Sequence, residues 1–138
     1  MKHFLLITLI VFSCGCHKDT TTQIEIKTAH LGESFELHAG EAVTISGEPL
    51  SFRFDSLLNE SRCPLGVECF WQGNASIVIS CAERHDTLDT YFVPSKIVQS
   101  AYTLTLRDLT PYPIYQQPII KENYVAQFVV NKTDHYVK

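Results

Sequence analysis

Basic residues do not cluster anywhere in this chain. Its 11 Lys and Arg are scattered among 15 Asp and Glu, for a formal charge of −4. Without a basic stripe there is no footprint for the counterion release that drives nucleic-acid binding, so no nucleic-acid partner is expected. Long hydrophobic runs are missing as well. The longest, Phe4 to Phe12, falls well short of the roughly 20 residues needed to span a bilayer as a helix. No convincing stretch carries the 3.6-residue apolar period of an amphipathic helix, and no repeat or low-complexity tract is visible. Fingerprints of catalysis are equally scarce, with no G-x-S-x-G nucleophile elbow. Cofactors and metals are not expected, nor is an enzyme.

What is present excludes disorder. A hydrophobic fraction of 45% with 11% aromatics is enough to build a core, and 138 residues provide for one domain. The N-terminal order is Lys2, the apolar run Phe4 to Phe12, then Ser13-Cys14-Gly15-Cys16. Charge, short apolar segment and small residues are the parts of an export signal. Their arrangement resembles the lipobox of bacterial lipoproteins, in which the cysteine after the cut is acylated. Cys14 is the preferred site, because Val11-Phe12-Ser13 upstream of it still belongs to the apolar run; Cys16 is the alternative. Several acyl chains on one residue anchor stably, whereas one chain alone is marginal. The chain therefore divides into a leader over 1–13, a lipidated cysteine and polar tether over 14–23, and a β domain over 24–138. Its place is the cell envelope, at the outer membrane in a Gram-negative cell, with the membrane as a partner through the anchor.

Beyond the tether the pattern has period two, the mark of half-buried strands. Phe35 and Leu37, then Val43 and Ile45, alternate with polar residues around Ala39-Gly40. Leu50, Phe52 and Phe54 define a strand, as do Ala75, Ile77, Ile79 and Cys81. Thr87 to Val93 is a shorter candidate ending at Pro94. Tyr102, Leu104 and Leu106 share a face, as do Ala126, Phe128 and Val130. Six to seven short strands between Gly, Pro, Asn and Asp turns predict an all-β fold: a single small antiparallel sandwich or barrel, immunoglobulin-like order being one option.

The most unusual segment is Asn59 to Ala75, NESRCPLGVECFWQGNA, which holds two cysteines and the only tryptophan. In an oxidising compartment, cysteines six positions apart in a turn-rich loop are natural disulfide partners, and Cys63–Cys69 is the expected bridge. Ser61-Arg62-Cys63-Pro64 followed by Cys69, Trp71 and Gly73 resembles the SRCP…C.W.G signature of a family of small bacterial secreted proteins and lipoproteins. Leu31 to Phe35, Leu106 to Pro113 and Tyr124-Val125-Ala126 extend that likeness over about residues 31 to 130. The resemblance implies a compact β domain with a disulfide loop and brings no activity with it. Cys81 departs from its two-cysteine pattern.

Several residues carry two readings. Cys63, Cys69, Cys81 and His85 form a possible zinc set, with Cys81 and His85 on one strand face. Against it, five residues separate the first two cysteines, where structural zinc sites favour two to four. Cys81 is more simply a buried apolar residue, and Asp86 and Asp89 are solvated charges in a polar turn. Arg62 is either a contact residue shown on a rigid loop or a side chain folded back onto loop carbonyls, Glu60 or Glu68. Trp71, Tyr112 and Tyr115 make either an aromatic platform for a sugar or peptide or, for Trp71, a plug against the disulfide. Arg62, Trp71 and Tyr112 are thus the candidate binding residues of the loop. The function expected is a lipid-anchored envelope interaction domain for a protein or glycan; the alternative is an inhibitor of a protease or cell-wall hydrolase through residues 59–74. Mass spectrometry of the protein recovered from its native envelope is expected to find acyl chains on Cys14 or Cys16, and a mature chain still beginning at Met1 overturns the export reading.

Overall fold

The computed structural model describes residues 26–99 and 101–133. They form nine strands: β1 (Lys27–Ala29), β2 (Ser34–His38), β3 (Ala42–Ile45), β4 (Ser51–Glu60), β5 (Ala75–Cys81), β6 (Arg84–Asp89), β7 (Ser95–Val98), β8 (Tyr102–Thr110) and β9 (Val125–Lys132). A five-stranded sheet in the order β1-β3-β4-β5-β6 faces a four-stranded sheet in the order β2-β9-β8-β7. The fold is a β-sandwich, not a closed barrel. Among the described residues no helix is long and apolar enough to cross a membrane.

Alternation accounts for the layers. In β5, Ala75, Ile77, Ile79 and Cys81 are buried while their neighbours are only half-covered. In β4, Phe52 and Phe54 keep the period, but the next buried residue is Leu57. Irregularities between Phe54 and Ser56 and between Leu57 and Asn59 each insert a residue, a bulge that shifts the pattern by one. That is why period-two reading stops at Asp55 although the strand continues to Glu60.

The nine strands exceed the six to seven expected. β1 has three residues, too few to show alternation, and it pairs parallel with β3 although the remaining pairs are antiparallel. β7 follows Pro94 directly and pairs with β8. The strand expected over Thr87 to Val93 lies earlier, at Arg84–Asp89. It stops because the Asp89 carboxylate turns back on the chain, with Oδ1 accepting the N–H groups of Tyr91, Phe92 and Val93 at 3.2, 2.5 and 2.7 Å. Asp86 and Asp89 therefore sit on a strand rather than in a polar turn.

Rings from both sheets meet in the core. Phe128 of β9 lies 5.5 Å from Phe52 and 6.3 Å from Phe54 across the sandwich, and 6.2 Å from its sheet neighbour Phe35. The first two contacts approach edge-on, a favoured geometry for aromatic quadrupoles. Phe128→Ala leaves a cavity at this junction, and urea unfolding is expected to show a loss of about 3–5 kcal/mol. A loss below about 1 kcal/mol would mean that the ring does not join the sheets.

Candidate functional site

Three connections leave the sandwich at one end: residues 61–74 between β4 and β5, 90–94 between β6 and β7, and 111–124 between β8 and β9. The first prolongs its hairpin. Ser61 donates its N–H and its hydroxyl to the Asn74 carbonyl at 2.9 and 2.6 Å, and Cys63 N–H reaches Gln72 O at 2.8 Å. Gly73 lies within this narrow ladder at φ +73°, where an added Cβ would sit 1.9 Å from the Ser61 carbonyl oxygen. Only glycine fits there. The Cys63–Cys69 disulfide closes the tip, worth about 2 kcal/mol in the chain-entropy picture.

The loops also hold one another. Leu65 N–H donates to Pro113 O at 2.8 Å and Tyr115 N–H to Leu65 O at 3.1 Å, forming a short bridge between the cysteine loop and residues 111–124. Thr90 donates its N–H to Ala75 O at 2.9 Å and its hydroxyl to Asn74 Oδ1 at 3.1 Å. The result is one braced surface rather than three separate turns.

Arg62 is the brace at its centre. Its side chain is 6% exposed and that of its partner Glu60 is 2% exposed. Nε lies 2.9 and 3.1 Å from the two Glu60 oxygens, and Nη2 lies 2.5 Å from Oε2. Nη1 then donates to Leu109 O at 2.6 Å and Nη2 to Pro111 O at 3.0 Å, while the Tyr112 ring covers the guanidinium at 4.5 Å. The contact-residue expectation for Arg62 is corrected: its charge points inward. The folded-back geometry holds with Glu60, but the accepting carbonyls belong to β8 and its exit rather than to the cysteine loop, and Glu68 has no part. Removing one partner of so buried a pair strands the other charge, at a cost of about 3–5 kcal/mol.

Tyr124 completes the cluster by donating its hydroxyl to Glu60 Oε2 at 2.9 Å. Its phenol is pushed up to about 12, first by burial and then by the Glu60 carboxylate, with Arg62 opposing. Tyr124 was not among the site residues expected from sequence, whereas Glu60 was, as one fold-back partner for Arg62. Glu60 and Arg62 are two apart on a strand-like backbone and so share a face, which is the one signal that pointed to their pairing.

The remaining candidates are dispersed differently. Trp71 does not plug the core against the disulfide: it is 58% exposed, and the neighbouring Phe70, absent from the sequence candidates, is fully exposed. Tyr112 keeps one ring face on Arg62 and is otherwise exposed. Cys81 is buried, but His85 projects from the opposite face of the β5–β6 hairpin, so they share no face and the zinc set does not assemble. Among the described residues no group of His, Cys, Asp and Glu is arranged for a metal. Asp55, Ser80 and His85 do meet on the outer face of the five-stranded sheet. There Ser80 donates to Asp55 at 2.9 Å, and His85 Nδ1 lies 3.3 Å from the same carboxylate. A nucleophilic triad needs the serine bonded to the histidine, so this wiring is not one. Cys14 and Cys16 lie outside the described residues. No protein-family profile, curated protein or solved structure matches the chain.

The Tyr124 phenol provides a pH test. Its folded value exceeds the unfolded one of about 10, so its contribution is complete below pH 10 and fades as pH climbs to about 12. The stability gap between the wild type and Tyr124→Phe, measured by urea unfolding, is expected to narrow across that window. A constant gap would show that the phenol titrates normally.

Proposed function

We propose that this protein is a lipid-anchored domain of the bacterial cell envelope that binds an envelope protein or glycan through the braced loop end. The observation carrying this reading is apolar side chains held in solvent on a rigid frame. Leu65, Phe70, Trp71, Ile114 and Tyr115 are all exposed, Phe70 completely, and the backbone beneath them is pinned by the disulfide, the Leu65–Ile114 bridge and Arg62. Apolar groups gathered at one place on a surface mark interaction sites. A frame ordered beforehand loses little further entropy when a partner arrives.

A binding role also fits the chemistry at this end. Its one buried ion pair is saturated by carbonyls and a phenol and offers no free acid, base or nucleophile. The inhibitor alternative keeps the loop but loses Arg62 as the residue that would enter a protease cleft, so no observation favours it over general binding. The lipid anchor and export rest on the N-terminal sequence.

The test is photo-crosslinking in cells, with a photoreactive residue at position 70 and, as control, at position 46 in the β3–β4 turn of the opposite end. A discrete adduct from position 70 alone is expected, with its yield reduced by Trp71→Ala. Equal labelling from both positions, or none from position 70, would overturn the assignment.

A further inference from the structure

Beside the braced end lies a groove of about 260 Å³, at the seam where the two sheets diverge. Its floor includes Arg62 and Leu106, and its walls carry Gln72, Tyr91, Arg107 and Asp108. We propose that this groove binds a single neutral sugar ring. The inference rests on the binding role above and names the ligand class of a neighbouring part of the same surface.

The groove owes its polarity to a bulge. The pairing of β8 with β9 slips between Leu106 and Asp108. Arg107 and Asp108, adjacent in sequence, therefore both face outward while Leu106 and Leu109 are buried on either side. Bulges re-aim side chains in this way and recur beside functional sites. Among the described residues Arg107 forms no ion pair and Asp108 engages only its Oδ1, which accepts Leu109 N–H at 2.8 Å. A donor-only guanidinium, an acceptor-only carboxylate oxygen and the Gln72 amide are thus left side by side.

Charge and shape narrow the ligand. Arg62 is offset by Glu60, and Arg107 stands beside Asp108, so neither an anion nor a cation gains a net attraction. A neutral molecule that both donates and accepts at neighbouring positions suits this lining, as the hydroxyls of a pyranose do. Tyr91 adds a ring for the C–H face of such a molecule. Its position is set by the Asp89 carboxylate and by Phe92, 4.9 Å away edge-on. The volume lies just below the roughly 300–1,000 Å³ of pockets that take drug-sized ligands, enough for one ring rather than a long chain.

A peptide adding to β8 where it runs past the short strand β7 is disfavoured, because the groups it would need are engaged. Leu106 N–H is bound to Pro94 O at 2.7 Å, Leu109 N–H to Asp108, and Leu109 O to Arg62 at 2.6 Å.

Backbone amide shifts of the full-length chain, titrated separately with glucose, galactose, mannose and N-acetylglucosamine, test the assignment. At least one sugar is expected to shift Gln72, Thr90 and Arg107 saturably, while tri-alanine shifts none. Tyr91→Ala is expected to weaken binding about tenfold. Asp108→Asn is expected to weaken it too, while keeping Oδ1 for Leu109 and hence the fold. No response to any of the four sugars, an equal response to tri-alanine, or unchanged affinity in Tyr91→Ala would overturn the sugar assignment. If crosslinking from position 70 still responds to Trp71→Ala, the failure belongs to the groove alone.

Discussion

Arg62 and Glu60 place two opposite charges almost out of solvent where the sheets part, and the loop end is organised around satisfying them. A guanidinium has five N–H donors and no acceptor, so a carboxylate alone leaves it incomplete. The Leu109 and Pro111 carbonyls and the Tyr112 ring supply the remainder, while Tyr124 takes up further capacity of the carboxylate. Each of these partners ties the cysteine loop to the exit of β8 or the entry to β9. A hydrophobic replacement of similar volume would satisfy packing equally well, but it would not fix the direction in which the loop leaves the sheet.

That fixed direction explains how one end can keep apolar residues in water without collapsing. Ordinarily Phe70 and Trp71 would fold onto the nearest greasy surface. Here the ladder through Gly73, the disulfide and the bridge to Ile114 hold the backbone in place. The core beneath is already filled by Phe52, Phe54 and Phe128. Stability sits in the sandwich and exposure at its rim, the usual division between scaffold and binding surface.

Bulges make a second contribution. Two in β4 and one in β8 break the strict alternation of a strand and turn adjacent residues to the same side. In β8 this sets Arg107 and Asp108 together at the seam. In β4 it lets a ten-residue strand reach the loop end and deliver Glu60 beside Arg62. The same irregularities concealed from a period-two reading how far β4 extends.

Where alternation is intact, as in β5, the amino-acid sequence by itself determined which face is buried, because strand geometry makes that a local property. The Cys63–Cys69 pairing was legible for a similar reason, six residues being a short span to close. Tertiary structure alone decided the direction of Arg62, since the carbonyls that hold it lie 47 and 49 residues further along. It alone decided that Trp71 faces solvent and that Cys81 and His85 lie on opposite faces. Such outcomes depend on which distant groups share a seam, and local pattern does not encode that.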